Sequence, residues 1–204
     1  MIYCAGLSAD FRVRPFDTIE AHTTDVAELL KNADFDSFLL LSSTRVYAGA
    51  ESTDEESTLR VAPQLPDHLY NISKIAGEAI CLSNARPTIR VVRMSNVIGD
   101  DFTSGMQMSE VLHAAVRGSV TFTASWNSAK DYIWVDDVAR MLIEIARRGK
   151  ERLYNLATGV NVTNRELGDI LASLTGCSVG VAPGSPSIIF GNIALRRRRR
   201  PGTA

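Results

Sequence analysis

The chain has 204 residues, 45% of them hydrophobic and 22% charged, with a formal net charge of −1. That balance fits one folded domain with a small appended lobe, and it excludes a disordered or collagen-like chain. The longest apolar runs, such as Phe38–Leu41, fall far short of the roughly 20 residues that span a bilayer, so no helical membrane anchor is expected.

Ile2–Ala5 is a short apolar run closed by Gly6 and reads as a buried strand. Asp17–Ala33 places Ile19, Val26, Leu29 and Leu30 on one side of a helix, with Asp17 and Glu20 in a capping pattern at its start. Ser37–Ser43 is continuously apolar before its serines, the pattern of a parallel strand covered on both faces. Ala48–Pro66 is acidic and contains proline, a loop long enough to imply either function or disorder. A helix is predicted from about Asp67 to Asn84, a strand over Thr88–Met94, a helix over Ser104–Arg117 and a short strand over Val120–Thr123. Val135–Arg148 is an amphipathic helix, Leu153–Ala157 a strand, and Thr163–Thr175 a helix opened by a Thr163/Glu166 capping box. From Pro183 the periodic pattern dissolves. Strands alternating with helices predict an α/β fold with a parallel sheet.

Of the 22 basic residues, five form the run Arg196–Arg200; the remaining 17 face 23 acidic ones, a net −6 for the body. A body of that sign is a poor nucleic-acid surface, and a disordered tail is the favoured reading of the arginines over a localisation or nucleic-acid tag. Cys4, Cys81 and Cys177 are widely spaced, the first two in apolar segments, which fits buried thiols in a reducing compartment. Neither a disulfide framework nor a metal site is expected. The opening residues do not form a basic, apolar leader, and the cytoplasm is the expected compartment.

Two short segments carry candidate chemistry. In Tyr70-Asn-Ile-Ser-Lys74 the tyrosine and lysine lie one helical turn apart on one face. An ammonium near a phenol favours the phenolate and makes the tyrosine a usable proton donor and acceptor. The plain alternative is a surface helix with an aromatic anchor. Ser42-Ser43-Thr44-Arg45-Val46-Tyr47 follows a predicted parallel strand, at the end where open α/β sheets place ligand-contacting groups. Here the alternative is that Ser42 and Ser43 merely turn the chain.

Taken together, a strand-end serine and a Tyr-x-x-x-Lys helix 27 residues later resemble the extended short-chain dehydrogenase/reductase family, the NAD-dependent epimerase/dehydratase type. Further segments resemble it in the same order. Ile2–Gly6 looks like the family's fourth strand, Leu41–Tyr47 its fifth strand with the catalytic hydroxyl segment, and Arg93–Gly99 its Arg-x-x-Asn-x-x-Gly stretch. Lys130–Ala139 looks like Arg-Asp-Tyr-x-x-Val-x-Asp-x-Ala, and Tyr154–Gly159 like Tyr-Asn-Leu-Gly-x-Gly. The likeness covers about residues 1 to 175.

The resemblance implies an incomplete Rossmann-like parallel sheet, holding the later strands only, over residues 1–125. Part of a small substrate-binding lobe would follow over 126–182, and a divergent, disordered Arg-rich tail over 183–204. It implies Tyr70 as acid/base, Lys74 as its tuner and holder of the nicotinamide ribose, and Ser43 as the hydroxyl that orients the reacting oxygen. NAD or NADP would lie against Ala5, Gly6, Ser42, Tyr70, Lys74 and Met94. A nucleotide-sugar substrate would meet Thr44, Asn96 and Lys130, where Lys130 replaces a frequent arginine and loses its bidentate fork. A homodimer is a further expectation, whereas nucleic acid and membrane partners are not. Asp136 and Asp137 are read as a helix cap and dipole partner rather than a catalytic pair. The family's 4,6-dehydratases carry Asp-Glu where this chain has Thr44-Arg45, so epimerisation or carbonyl reduction is favoured over dehydration.

No Gly-x-x-Gly-x-x-Gly or Gly-x-Gly-x-x-Gly turn occurs in the chain. Dinucleotide binding on this fold uses such a turn to let backbone and helix N-terminus approach the pyrophosphate. Two readings therefore stand: a truncated NAD(P)-dependent sugar-nucleotide epimerase or reductase, and a non-catalytic remnant or interaction module of the same descent.

Overall fold

The computed structural model describes residues 1–8, 10–100, 107–188 and 191–195. Its centre is a four-stranded, wholly parallel sheet in the order β1-β2-β3-β7, built from β1 (Ile2–Tyr3), β2 (Phe38–Ser43), β3 (Ile89–Met94) and β7 (Leu153–Leu156). β2 is buried almost throughout because its alternate side chains enter two cores. Phe38 and Leu40 join Val26, Phe35, Cys81, Ile89 and Val91 on one face. Leu39 and Leu41 join Val92, Ile133, Val138, Leu142 and Leu156 on the other. Each such fully buried large side chain contributes about 1.5–3 kcal/mol relative to exposure, which fixes the register of the two central strands.

The first face is covered by α1 (Pro15–Ile19), a π-helical turn (Glu20–Thr24), α2 (Asp25–Asn32) and α3 (His68–Ser83). The expected helix over Asp17–Ala33 is thus present but widened in the middle. Pro15 starts it, no side chain caps it, and Asp17 bonds Arg14 instead of forming the expected capping pattern. At the π turn α3 presents Gly77, where a Cβ would lie 2.3 Å from the His22 carbonyl oxygen. Only a glycine lets the helices approach so closely there.

The second face is covered by α5 (Val135–Arg148), whose apolar stripe buries Val138 and Leu142. Asp136 and Asp137 sit in its first turn, where the helix dipole favours carboxylates, but they do not cap it: Asp136 accepts from the Trp134 indole and Asp137 pairs with Arg140.

A smaller layer follows. β4 (Asn96–Ile98), β6 (Ala129–Trp134) and β8 (Asn161–Thr163) form one sheet, parallel between β4 and β6 and antiparallel between β6 and β8. β5 (Ser119–Phe122) and β9 (Ser178–Val181) pair in parallel, and with α4 (Gln107–Val116) and α6 (Asn164–Thr175) enclose Ala115, Val120, Phe122, Leu171 and Cys177. The expected start of α4 at Ser104 lies outside the described residues. The Thr163/Glu166 capping box is present with both its hydrogen bonds. Asp131, 3% exposed on β6, accepts from the backbone N–H groups of Thr158, Gly159 and Val160 and from the Thr158 hydroxyl, pinning the turn after β7.

The disorder expected from residue 183 is not found in residues 183–188 and 191–195. Ile193 is buried beside Tyr47 and Ala157, Asn155 donates to the Ala194 carbonyl, and Ala194 donates to Thr53. The arginine run lies outside the described residues. Cys81 and Cys177 are buried thiols as expected, but Cys4 is exposed, because β1 ends before it. Among the described residues, no helix is long and apolar enough to cross a membrane, and no group of three or more His, Cys, Asp or Glu is placed to hold a metal.

Candidate active site

The site forms where β2 ends. Ser43, still extended at φ −138° and ψ 141°, accepts the Arg45 backbone N–H on its hydroxyl oxygen at 3.2 Å and so caps the 3-10 turn Thr44–Tyr47. Using an acceptor lone pair this way leaves the Ser43 hydrogen free to donate. α3 brings Tyr70 and Lys74, 7% and 8% exposed, to the same strand end. The Ser43 hydroxyl faces the Tyr70 phenol closely enough to favour its ionised form. The Lys74 ammonium donates to the Leu41 carbonyl at 3.1 Å and stands 5.9 Å from the Tyr70 ring centroid. The three expected residues therefore meet in one crevice.

Their electrostatics differ from expectation. Burial pushes the Tyr70 phenol above its ordinary value, while the Ser43 hydroxyl and the Arg45 charge pull it back. Arg45 is thus a further cation at Tyr70, its guanidinium carbon 5.2 Å from the ring centroid, beside the Lys74 ammonium at 5.9 Å. Burial in turn pushes Lys74 down to about 8, with the Glu78 charge opposing. In the sequence Arg45 stands out only as a departure from the dehydratase pattern, since nothing local predicts which way a turn residue points.

Behind the crevice lies His22, 2% exposed in the π turn. Its Nε2 accepts the Leu7 backbone N–H at 3.2 Å, so its Nδ1, 2.8 Å from the Ser73 hydroxyl, carries the proton of a neutral ring. Ser73 in turn donates to the Tyr70 carbonyl, and the His22 ring stands edge-on to the Tyr70 ring with centroids 5.4 Å apart. His22 thereby ties the strand end at Gly6–Leu7 to the Tyr70 helix. Burial first, and Lys74 second, hold His22 down to about 3 from its ordinary 6.5. The unfolded chain therefore binds one more proton than the folded one between those values. This group's stabilisation is complete above pH 6.5 and is lost as pH falls towards 3. Roughly 3–5 kcal/mol is at stake across that range. The melting temperature is expected to fall from pH 7 to pH 4, and His22→Gln to show a shallower fall; parallel curves for the two proteins would refute this origin.

The other expected contacts divide. Ala5 and Gly6 are exposed at the end of β1. A Cβ on Gly6 would lie 2.7 Å from His22 Nε2 and 3.2 Å from Lys74 Nζ, so a glycine is what lets the backbone pass this close to the imidazole and the ammonium. Ser42, expected at the cofactor, instead buries its hydroxyl against Glu78 at 2.5 Å. Met94 is partly buried against the second core. Thr44, expected at the substrate, is buried at the first position of the 3-10 turn beside Ser43. Asn96 and Lys130 do line one small cavity of about 60 Å³ with Tyr132 and Met108, and Asn96 donates to the Asp131 carbonyl. Burial lowers the Lys130 ammonium, and Arg45 lowers it further, so the two cations share one field.

Beneath the site runs a buried ion pair invisible to spacing rules. Arg93 reaches Glu78 with Nε at 3.1 Å from both carboxylate oxygens and Nη2 at 2.6 Å, the side chains 5% and 3% exposed. Its Nη1 donates to the Tyr47 hydroxyl at 2.9 Å and to the Glu55 carbonyl, and Tyr47 donates onward to Asn155.

Comparison with known proteins agrees with this architecture. A dTDP-glucose 4,6-dehydratase of Streptomyces griseus is 26% identical over 151 residues, 71% of this chain and 44% of the relative. Among solved structures, the NAD-dependent NDP-hexosamine 5,6-dehydratase TunA of tunicamycin biosynthesis superposes with a TM-score of 0.80 at 19% identity, over 95% of this chain and 66% of its own. MoeE5 in complex with UDP-glucuronic acid and NAD gives 0.75 at 24% identity, over 94% and 67%. The chain thus spans less than half of the curated relative and about two-thirds of the solved ones. Residues 2–157 match the model of one family. By that match, and by the partial Rossmann-like sheet with the strand-end crevice it carries, the chain belongs to the NAD dependent epimerase/dehydratase family.

Proposed function

We propose that the protein is an NAD(P)-dependent sugar-nucleotide epimerase or reductase, working in the cytoplasm. The observation that carries this is the meeting of Ser43, Tyr70 and Lys74 at the end of β2. The nicotinamide, when bound, supplies the hydride acceptor and donor. Tyr70 takes the proton of the reacting sugar hydroxyl and later returns it, and the Ser43 hydrogen holds that oxygen in line. Lys74, fixed by the Leu41 carbonyl, holds the ribose beside bare Gly6. In an epimerase the keto sugar would be reduced on its opposite face. Asn96 would contact the substrate and Lys130 its pyrophosphate, both beside the small cavity. The relatives named above are dehydratases and sugar-nucleotide proteins; Thr44 and Arg45 supply no carboxylic acid/base pair at this turn, which disfavours water elimination here.

A second reading, a non-catalytic interaction module, is favoured by one observation: the chain contains no glycine-rich phosphate turn. Mixing the protein with NAD⁺ or NADP⁺ and a UDP-sugar separates them. Appearance of reduced-nicotinamide absorbance or of an epimerised sugar supports the enzyme. Absence of both turnover and cofactor binding would leave the second reading standing.

A further inference from the structure

We infer that Arg45 forms an anion subsite beside Tyr70, and that the sugar it selects is acidic, carrying a carboxylate on the carbon next to the reacting hydroxyl, as a nucleotide-linked hexuronate does. This rests on the nucleotide-sugar reading above and narrows it.

The guanidinium is half-buried beside two adjacent aromatic rings, 5.1 Å from the Phe11 centroid and 5.2 Å from that of Tyr70. Among the described residues it forms no salt bridge. The nearby carboxylate, Asp67, is bonded by Arg12 at 2.5 Å. Arg45 is left with the Asp67 carbonyl oxygen at a long 3.5 Å. Removing a cation from water without a carboxylate is costly, and ring faces return only part of that cost. Arg12 also stacks on Phe11, 4.6 Å from its centroid, so one carboxylate serves two guanidinium groups here. The crevice beside Tyr70 is therefore positive by at least one uncompensated charge. An arginine presents a planar fork that matches a carboxylate bidentately. Because Arg45 flanks the Tyr70 ring itself, an anion it takes would sit beside the reacting centre that Tyr70 serves. A neutral hexose would leave that fork unanswered.

Titration of the chain with UDP-glucuronic acid, UDP-glucose and UDP alone, by calorimetry, tests the assignment. The acidic sugar is expected to bind more tightly than UDP-glucose by on the order of 30-fold, the worth of one charge-assisted bidentate contact. Arg45→Gln should collapse that ratio to about one, and Arg45→Lys, which keeps charge and loses the fork, should give an intermediate ratio. Equal binding of the two sugars, with a ratio that Arg45→Gln leaves unchanged, overturns the subsite while nucleotide-sugar binding stands. A loss of affinity for UDP alone in Arg45→Gln, as large as that for UDP-glucuronic acid, overturns it as well, because the anion would then be the pyrophosphate. Failure of all three ligands to bind removes the nucleotide-sugar reading and the subsite with it.

Discussion

Tyr70→Phe is expected to lower turnover of the nucleotide-sugar substrate by on the order of 10²–10⁴-fold, the usual contribution of a positioned acid/base. The phenol is held by the Ser43 hydroxyl and the Arg45 charge on one side and by burial on the other. Phenylalanine keeps the ring contacts with Phe11 and His22, at 5.6 and 5.4 Å, so the helix should dock unchanged and only the proton handle is lost. Cofactor and substrate affinities should therefore move little while kcat falls. A second readout comes from Lys74. Its ammonium, held down to about 8, loses its proton as pH rises through that value, and with it the positive charge beside Tyr70 and the ribose. Wild-type kcat/KM should decline on the alkaline side near pH 8. Unchanged turnover in Tyr70→Phe, measured by single-turnover kinetics with bound cofactor, would remove the tyrosine from the chemistry.

How much of the fold and site is legible in the sequence follows from which physical signals are local. β2 announces itself in FLLLSS, since a continuous apolar run of that kind is stable only where both of its faces are covered. The Tyr70–Lys74 spacing is set by one helical turn, and the Thr163/Glu166 box lies within one as well. β6 escapes prediction because Lys130 and Asp131 break its apolar pattern. Asp131 is nonetheless 3% exposed, its charge answered by the turn after β7, which lies far along the chain. β4, β8 and β9 are three or four residues long and are specified by their partners rather than by their own composition. His22 lies three residues after Ile19 and four before Val26, on the apolar side of the helix, but no spacing rule shows the π turn and Gly77 that enclose it. Arg45 and the Glu78–Arg93 pair depend on contacts that no spacing rule encodes.

That pair is where the largest stability effect is expected. Glu78→Gln should lower the unfolding free energy by about 3–5 kcal/mol, because it strands the Arg93 charge in the interior and weakens the acceptor for Ser42. Arg93→Met should cost a similar amount by stranding the carboxylate and releasing Tyr47 and Glu55. The double variant should cost clearly less than the two singles combined, since each side chain is penalised mainly for the other's absence. Urea unfolding of the four proteins measures this coupling, and additive losses would show that the two residues act separately. The same substitution reaches the crevice. Glu78 is the charge that opposes the downward push on Lys74. Its neutralisation should therefore move the alkaline limb of kcat/KM to lower pH. A limb that stays put while stability falls would confine Glu78 to the fold. A limb that moves ties the ion pair beneath the sheet to the protonation of the lysine above it.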